Sequence, residues 1–281
     1  MVKINNLVKN YGNFKLDVSL EIQRGAVTGL VGKNGAGKST TIKAILGLIK
    51  ADGGSVEIDG TDVRDLTLKD KEAIGVAMSD SGFSNYITLK DVMAIMRKLY
   101  PSFDEAFFRD QCARAGLPFD KKIKDFSTGM KAKLRVLAAL SHRAKLLIMD
   151  EPTAGLDVEA RVETLDLIRD YLSCNDECSI LLTSHISSDL EGLCDDIYLI
   201  NDGKVVLHED TDAILGKYGI LKVDEEEYTK LDKSYLLRSK KTPFGYSCFT
   251  NEKQFYMENY PDIVIEKGSI DDLILMMTGG N

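Results

Sequence analysis

The chain has 281 residues, 44% hydrophobic and 28% charged, with a formal net charge of −8. That composition supplies a sizeable core for one large domain, or one domain with a small appendage, and excludes global disorder and fibrous repeats. The acidic balance argues against nucleic acid as a partner. No apolar run approaches the roughly 18–20 residues that cross a bilayer, so any membrane association is expected through a partner chain.

Val2 to Ile4 and Phe14 to Ile22 read as β, the second by alternation of its apolar positions. Ala26 to Val31 is a short buried strand, followed by a glycine-rich loop and a helix over Ser39 to Leu48. Val56 to Gly60 is a strand and turn. Between Leu89 and Leu99 the apolar residues fall at helical spacing, and the helical pattern, broken at Pro101 and Pro118, runs to about Leu140. Leu146 to Met149 and Ile180 to Thr183 are apolar runs without alternation, which suit central parallel strands. Ile197 to Ile200 and Val205 to Leu207 flank a hairpin turn, Asn201-Asp202-Gly203-Lys204. Beyond about residue 215 the texture shifts toward tyrosine and charge, with an acidic cluster from Asp224 to Glu227. A capped helix is expected from Ser269 through Met277, with Asp272 at the capping-box position. Strands alternating with helices define an α/β main domain over 1–215, and 216–281 is expected to be a small C-terminal accessory domain. The five cysteines, Cys112, Cys174, Cys178, Cys194 and Cys248, form no CxxC pair and read as reduced thiols.

The strongest chemical signal is Gly32-Lys33-Asn34-Gly35-Ala36-Gly37-Lys38-Ser39, which fits G-x-x-x-x-G-K-[ST] between a strand and a helix. Glycines let the backbone turn its N–H groups toward phosphates, and the following helix points its positive end at the same anion. Lys38 is expected to reach the β- and γ-phosphates. Ser39, with Thr40 behind it, is expected at one Mg²⁺ position. No N-K-x-D guanine motif is present, so ATP with Mg²⁺ is the expected ligand. Met149-Asp150-Glu151-Pro152 closes a buried strand with two acids. Asp150 is the expected Mg²⁺ carboxylate, and Glu151 is placed to polarise an attacking water. Adjacent strand residues point to opposite sides, so the two acids serve one site only if the chain turns there.

Further along, Phe126-Ser127-Thr128-Gly129-Met130 precedes a helix carrying Lys131, Lys133 and Arg135, and Pro152 to Asp157 reads P-T-A-G-L-D. Thr183-Ser184-His185 closes a strand, and Tyr11 lies upstream of the phosphate loop. In this order, over residues 2 to about 215, the chain resembles the ATP-binding subunit of an ABC transporter. It is most similar to bacterial ABC-2-type exporter ATPases, whose relatives include subunits that expel antimicrobial or self-toxic peptides such as phenol-soluble modulins. The resemblance implies a P-loop ABC ATPase core with an antiparallel β portion, a helical subdomain over about 83–140 and a small α/β C-terminal domain. It implies that Tyr11 stacks on adenine and that the signature loop, through Ser127 and Gly129, touches a γ-phosphate held by the opposite subunit. It also implies that Asp157 links the two sites and that His185 hydrogen-bonds the γ-phosphate.

As partners the resemblance implies a second copy or a paralogous ABC ATPase, and a separate transmembrane permease that holds the protein at the inner face of the cell membrane. Phe83, Tyr86, Leu89, Met93 and Met96 are candidates for the groove that receives the permease, the alternative for each being burial in the core. Two departures stand out. Ser79 and Asp80 follow Ile74 to Met78 where the family usually has glutamine, and Thr128 and Met130 replace Gly and Gln in the signature. The rival readings are a soluble ABC ATPase acting on ribosomes or DNA, disfavoured by the single cassette and the acidic charge, and an ATP-gated regulatory protein, disfavoured by Glu151 and His185.

Overall fold

Where an apolar run does not alternate, both faces of the resulting strand are covered, and this organises the molecule. The computed structural model describes residues 1–78 and 82–279. Its first half contains β1 (Val2–Tyr11), β2 (Phe14–Ile22), β3 (Val27–Val31), α1 (Lys38–Ile45), β4 (Gly53–Ile58), β5 (Thr61–Asp62), α2 (Leu68–Glu72), β6 (Ile74–Met78), α3 (Leu89–Leu99), α4 (Glu105–Arg114), a 3-10 turn (Ile123–Asp125) and α5 (Thr128–Leu140). Next come β7 (Leu146–Asp150), α6 (Val158–Ser173), β8 (Ser179–Thr183), α7 (Ser187–Glu191), β9 (Asp196–Asn201), β10 (Lys204–Asp210) and α8 (Thr211–Lys217). The tail adds β11 (Gly219–Val223), α9 (Glu225–Lys230), β12 (Leu236–Thr242), β13 (Gly245–Thr250), α10 (Lys253–Asn259), β14 (Val264–Lys267) and α11 (Ile270–Thr278).

One sheet runs β5-β4-β1-β2-β10-β9-β3-β8-β7-β6, and a second runs β12-β13-β11-β14. The stretch from β9 to β6 is parallel, while β1, β2, β4 and β5 pair antiparallel. Along β7, Leu147 and Met149 join one apolar cluster and Leu146 and Ile148 the other, so successive side chains feed opposite faces. α1 covers one face with Ile42, Ala44 and Ile45; α5 and α6 cover the other with Val136, Ala139, Leu140 and Ile168. Burying each such valine, leucine or isoleucine side chain is worth about 1.5–3 kcal/mol.

Two elements differ from their sequence pattern for local reasons. β1 continues past Ile4 to Tyr11 because a bulge, with Asn6 at φ 45°, absorbs the break in alternation. α1 stops short of Leu48 because Gly47 adopts φ 65° and Leu48 N–H returns to the Lys43 carbonyl, a left-handed helix stop. The hairpin at Asn201–Lys204 and the Ser269 capping box form as expected. Ser79 and Asp80, where the family glutamine is missing, lie outside the described residues. All five cysteines are free thiols, four of them buried.

The helices between β6 and β7 have their own core, which includes Leu89, Met93, Met96, Phe108 and Leu137. Most of the candidates for the permease surface take the alternative reading of core residues. Leu89, Met93 and Met96 are core residues, Phe83 is half-buried against them, and Tyr86 is the one member of that set that is strongly exposed, at 75%. The tail is not separable by its packing. Leu221, Val223 and Cys248 face a local tail cluster, whereas Ile220, Phe249, Ile270, Leu273 and Met276 extend the main core.

His142 lies just beyond α5, buried, with Nδ1 3.2 Å from the Ala138 carbonyl and Nε2 3.3 Å from the Ile74 carbonyl. Burial pulls its pKa below the ordinary histidine value, against the opposing pull of those carbonyls. The unfolded chain therefore takes up a proton near pH 6.5 that the folded chain resists, and stability is lost as pH falls from there. Urea unfolding is expected to show a lower midpoint at pH 5.5 than at pH 7.5, and His142→Gln is expected to reduce that difference.

Candidate nucleotide site

The carboxyl ends of β3, β7 and β8 lie side by side, because the three strands are parallel neighbours. Each releases a loop at the same edge, where ligands of open α/β sheets bind. After β3, Gly32 to Gly37 form the phosphate loop. Gly32 is required at φ 151°, where a Cβ would sit 2.2 Å from the Ile200 carbonyl oxygen. Gly37, at φ 117°, leads into α1, whose first turn carries no acidic residue and no side-chain cap. Its first backbone N–H groups therefore remain available to an anion.

Lys38 is 7% exposed, and its Nζ donates to the Gly32 carbonyl at 2.7 Å and the Lys33 carbonyl at 3.3 Å. Burial lowers its pKa, while the carboxylates of Glu151 and Asp150 act to raise it. A cavity of about 300 Å³ gathers Asn34, Gly35, Gly37, Lys38, Ser39 and Thr40 with Asp150, Glu151 and Phe14. Gly32 and Ala36 shape the loop from behind, and the Lys33 side chain leaves it to reach the Thr278 carbonyl at 2.7 Å.

At the end of β7 the problem of adjacent acids is solved by the backbone. Glu151 adopts φ 52°, a left-handed conformation that non-glycine residues seldom take, held by its N–H donating to Thr183 O and Oγ1. The chain turns there, and both acids line the cavity. Asp150, 5% exposed, accepts from Thr183 Oγ1 at 2.6 Å on one oxygen and from Ser39 Oγ at 3.2 Å on the other. Glu151 Oε2 lies 2.6 Å from His185 Nδ1 and accepts the His185 backbone N–H at 3.2 Å. With the carboxylate as acceptor, Nδ1 carries the hydrogen of this bond.

The remaining expected residues lie elsewhere. Tyr11 is 50% exposed at the tip of the β1–β2 hairpin, with the Lys9 ammonium 5.6 Å from its ring centroid; it does not line the cavity, whereas Phe14 across the hairpin does. Ser127 caps α5 by accepting from Met130 N–H, and Asp157 caps α6 by accepting from Ala160 N–H. Gly129 lets these two helices approach, since a Cβ there would sit 3.2 Å from Ala160 Cβ.

Sequence reasoning missed the residue that joins these loops. Asp189 in α7 is 1% exposed and accepts from Thr153 Oγ1 and Arg161 Nε, both at 2.5 Å, and from Ser184 Oγ at 3.4 Å. It ties the P-T-A-G-L-D loop and α6 to the segment carrying His185. The available signal was an acid one helical turn after His185 and an arginine one turn after Asp157, both hidden among ordinary surface charges.

Comparison with known proteins identifies the family and the fold. The family described as "ABC transporter" matches residues 16–154. The ABC transporter ATP-binding protein YtrB of Bacillus subtilis is 32% identical over 237 residues, covering 84% of this chain and 77% of that protein. The lantibiotic transport ATP-binding protein SrtF of Streptococcus pyogenes is 34% identical over 217 residues, covering 76% and 92%. Among solved structures, an ATP-binding subunit of an ABC transporter superposes with a TM-score of 0.68 at 27% identity, covering 76% of this chain and 91% of that one. The dimeric post-hydrolysis ATP-binding cassette MJ0796, bound to ADP and Pi, gives 0.65 at 22% identity, covering 75% and 99%. Fold and site thus define a nucleotide-binding protein of the P-loop class. The chain belongs to the ATP-binding subunits of ABC transporters and is an ATPase.

Removing a buried partner from a charged network costs about 3–5 kcal/mol. Asp189→Ala is expected to lose about 3 kcal/mol of unfolding free energy in urea titration, and Asp189→Asn less, because an amide oxygen still accepts from Thr153.

Proposed function

We propose that this ATPase pairs with a second cassette around two Mg-ATP and drives a separate membrane-spanning permease that exports amphipathic or antimicrobial peptides. The observation that carries the catalytic part is the left-handed turn at Glu151. It brings Glu151 into one cavity with Lys38 and Ser39 and seats its carboxylate on His185.

Ser39 and Asp150 are the residues that would hold Mg²⁺. Asp150 keeps one oxygen on Thr183 and turns the other toward the Ser39 hydroxyl, an all-oxygen pair suited to an ion that takes few protein ligands. When bound, the ion neutralises charge on the β- and γ-phosphates. Lys38 and the N–H groups of the loop and α1 hold the phosphates. Water attacks the γ-phosphorus, its proton passes to the Glu151 carboxylate, and ADP leaves with the former bridging oxygen. His185 orients that carboxylate from behind.

Ser127, Gly129 and Asp157 lie at the starts of α5 and α6 rather than in this cavity, which fits groups offered to the nucleotide of a second subunit. Val158 and Val162, 77% and 49% exposed beside Asp157, are apolar surface suited to that contact. No helix among the described residues is long and apolar enough to cross a membrane, so attachment to the inner face of the membrane falls to the permease. The peptide cargo is inferred from the lantibiotic named for SrtF, and 216–281 is assigned as an accessory domain. Tyr11, paired across the hairpin with the cavity-lining Phe14, is assigned to the adenine.

Glu151→Gln keeps the shape of the side chain and removes the base. Its kcat is expected to fall at least about 100-fold, with ATP affinity within threefold of the parent. Undiminished turnover would remove Glu151 from the mechanism. The same variant, loaded with ATP and captured from detergent-solubilised host cells, is expected to bring a multi-spanning membrane protein; ribosomal or DNA-repair proteins in its place would overturn the transport reading.

A further inference from the structure

The last helix of the chain touches the nucleotide site at two places. At its start, the Ile270 N–H donates to Glu191 Oε1 at 3.1 Å, and Asp271 Oδ2 accepts from Ser187 Oγ at 2.7 Å. Ser187 opens α7, two residues after His185. At its end, the Thr278 carbonyl accepts from the Lys33 ammonium, inside the phosphate loop. A nine-residue helix spans about 13 Å at 1.5 Å per residue, enough to bridge the loop after β8 and the loop after β3.

The contacts are suited to bear load. Ile270, Leu273 and Met276 are buried in the core that also contains Leu190, Cys194 and Ile197, so the helix is fixed along its length. A box between Ser269 and Asp272 caps its start. Its end presents carbonyls without helical partners, and a lysine ammonium there meets both the free acceptor and the negative end of the helix dipole. Lys33 is also bound into the loop's own geometry, since its carbonyl accepts from Ala36 N–H and from Lys38 Nζ.

The structure assigns to α11 the role of a strut for ATP hydrolysis: Asp271 is a positioning residue for the turn that carries His185, and Thr278 holds the phosphate loop through Lys33. A displacement of either loop is resisted by the other, because both are fixed to one short helix. The assignment rests on the proposed role of His185 in orienting Glu151, but not on any transported cargo. The two failures remain separable: a kcat lost in Glu151→Gln but unchanged in Asp271→Ala sinks the strut alone.

The test is steady-state ATPase kinetics on the full chain. Asp271→Ala and Ser187→Ala are each expected to lower kcat two- to fivefold with KM within twofold. Asp271→Asn, whose amide oxygen still accepts from Ser187, should remain near the parent, and the Ser187→Ala/Asp271→Ala pair should fall no lower than the worse single variant. A second measurement addresses the whole strut. Changes this far apart ordinarily multiply; ATP dissociation constants for Lys33→Met, Asp271→Ala and the double variant are expected to depart from multiplication by at least twofold. A lowered melting temperature with unchanged kcat per folded molecule would reduce Asp271 to a structural contact, and strict multiplication would show two independent contacts instead of a strut. Either result overturns the assignment.

Discussion

Everything at the nucleotide site is organised around the carboxylate of Asp150. Its position opposite Thr183 is fixed by the parallel register of β7 and β8, and Thr183 takes one of its oxygens. The other oxygen is left for Ser39, the second residue of α1, which the phosphate loop delivers from β3. One side chain therefore gauges the alignment of three chain segments far apart in sequence. A slip of a single residue in the β7–β8 pairing would turn Asp150 to the opposite face of the sheet and separate all three. The strained turn at Glu151 depends on the same register, since its N–H is satisfied by Thr183 and by no group of its own strand.

Behind this edge a second set of polar contacts, buried at Asp189 and exposed at the helix caps, fixes the loops to each other. Asp189 gathers Thr153, Ser184 and Arg161, while Ser127 and Asp157 cap the helices that face away from the cavity. Lys133 and Glu163 pair across α5 and α6, and Gly129 lets these helices meet closely. The groups assigned to a neighbouring subunit thus rest on the same framework as the groups assigned to the chain's own nucleotide.

The parallel core and the phosphate loop were legible because their signals are local. Short apolar runs without alternation, such as Leu146 to Met149, suit doubly buried strands, and the spacing of glycines before Lys38 and Ser39 admits few other uses. The acids of β7 were legible as a pair, but that both face the cavity follows from the φ of Glu151, which no residue pattern announces. Phe14 and Asp189 were missed for a different reason. Each is an ordinary residue of an amphipathic element, and only the tertiary fold brings it to the site. The same limit explains Leu89, Met93 and Met96. Helical spacing identifies an apolar stripe but not what covers it, and here the neighbouring helices do. In the tail, alternation in β11 and β13 serves two separate clusters at once, so it carried no simple inside-and-outside message.

The strand order has a consequence for how the protein must be made. β2 and β3 are near neighbours in sequence but are separated in the sheet by β10 and β9. During synthesis, the first hairpin and the phosphate-loop strand emerge long before the residues that join them. Until about residue 210 has left the ribosome, the sheet has a gap at its centre, and the face packed by α5 and α6 lacks the part of its cover that α11 supplies. Such a topology defers its rewards to distant contacts and folds slowly. Intermediates that lack β9, β10 or α11 leave apolar residues of the core exposed, the kind of species that is prone to aggregate.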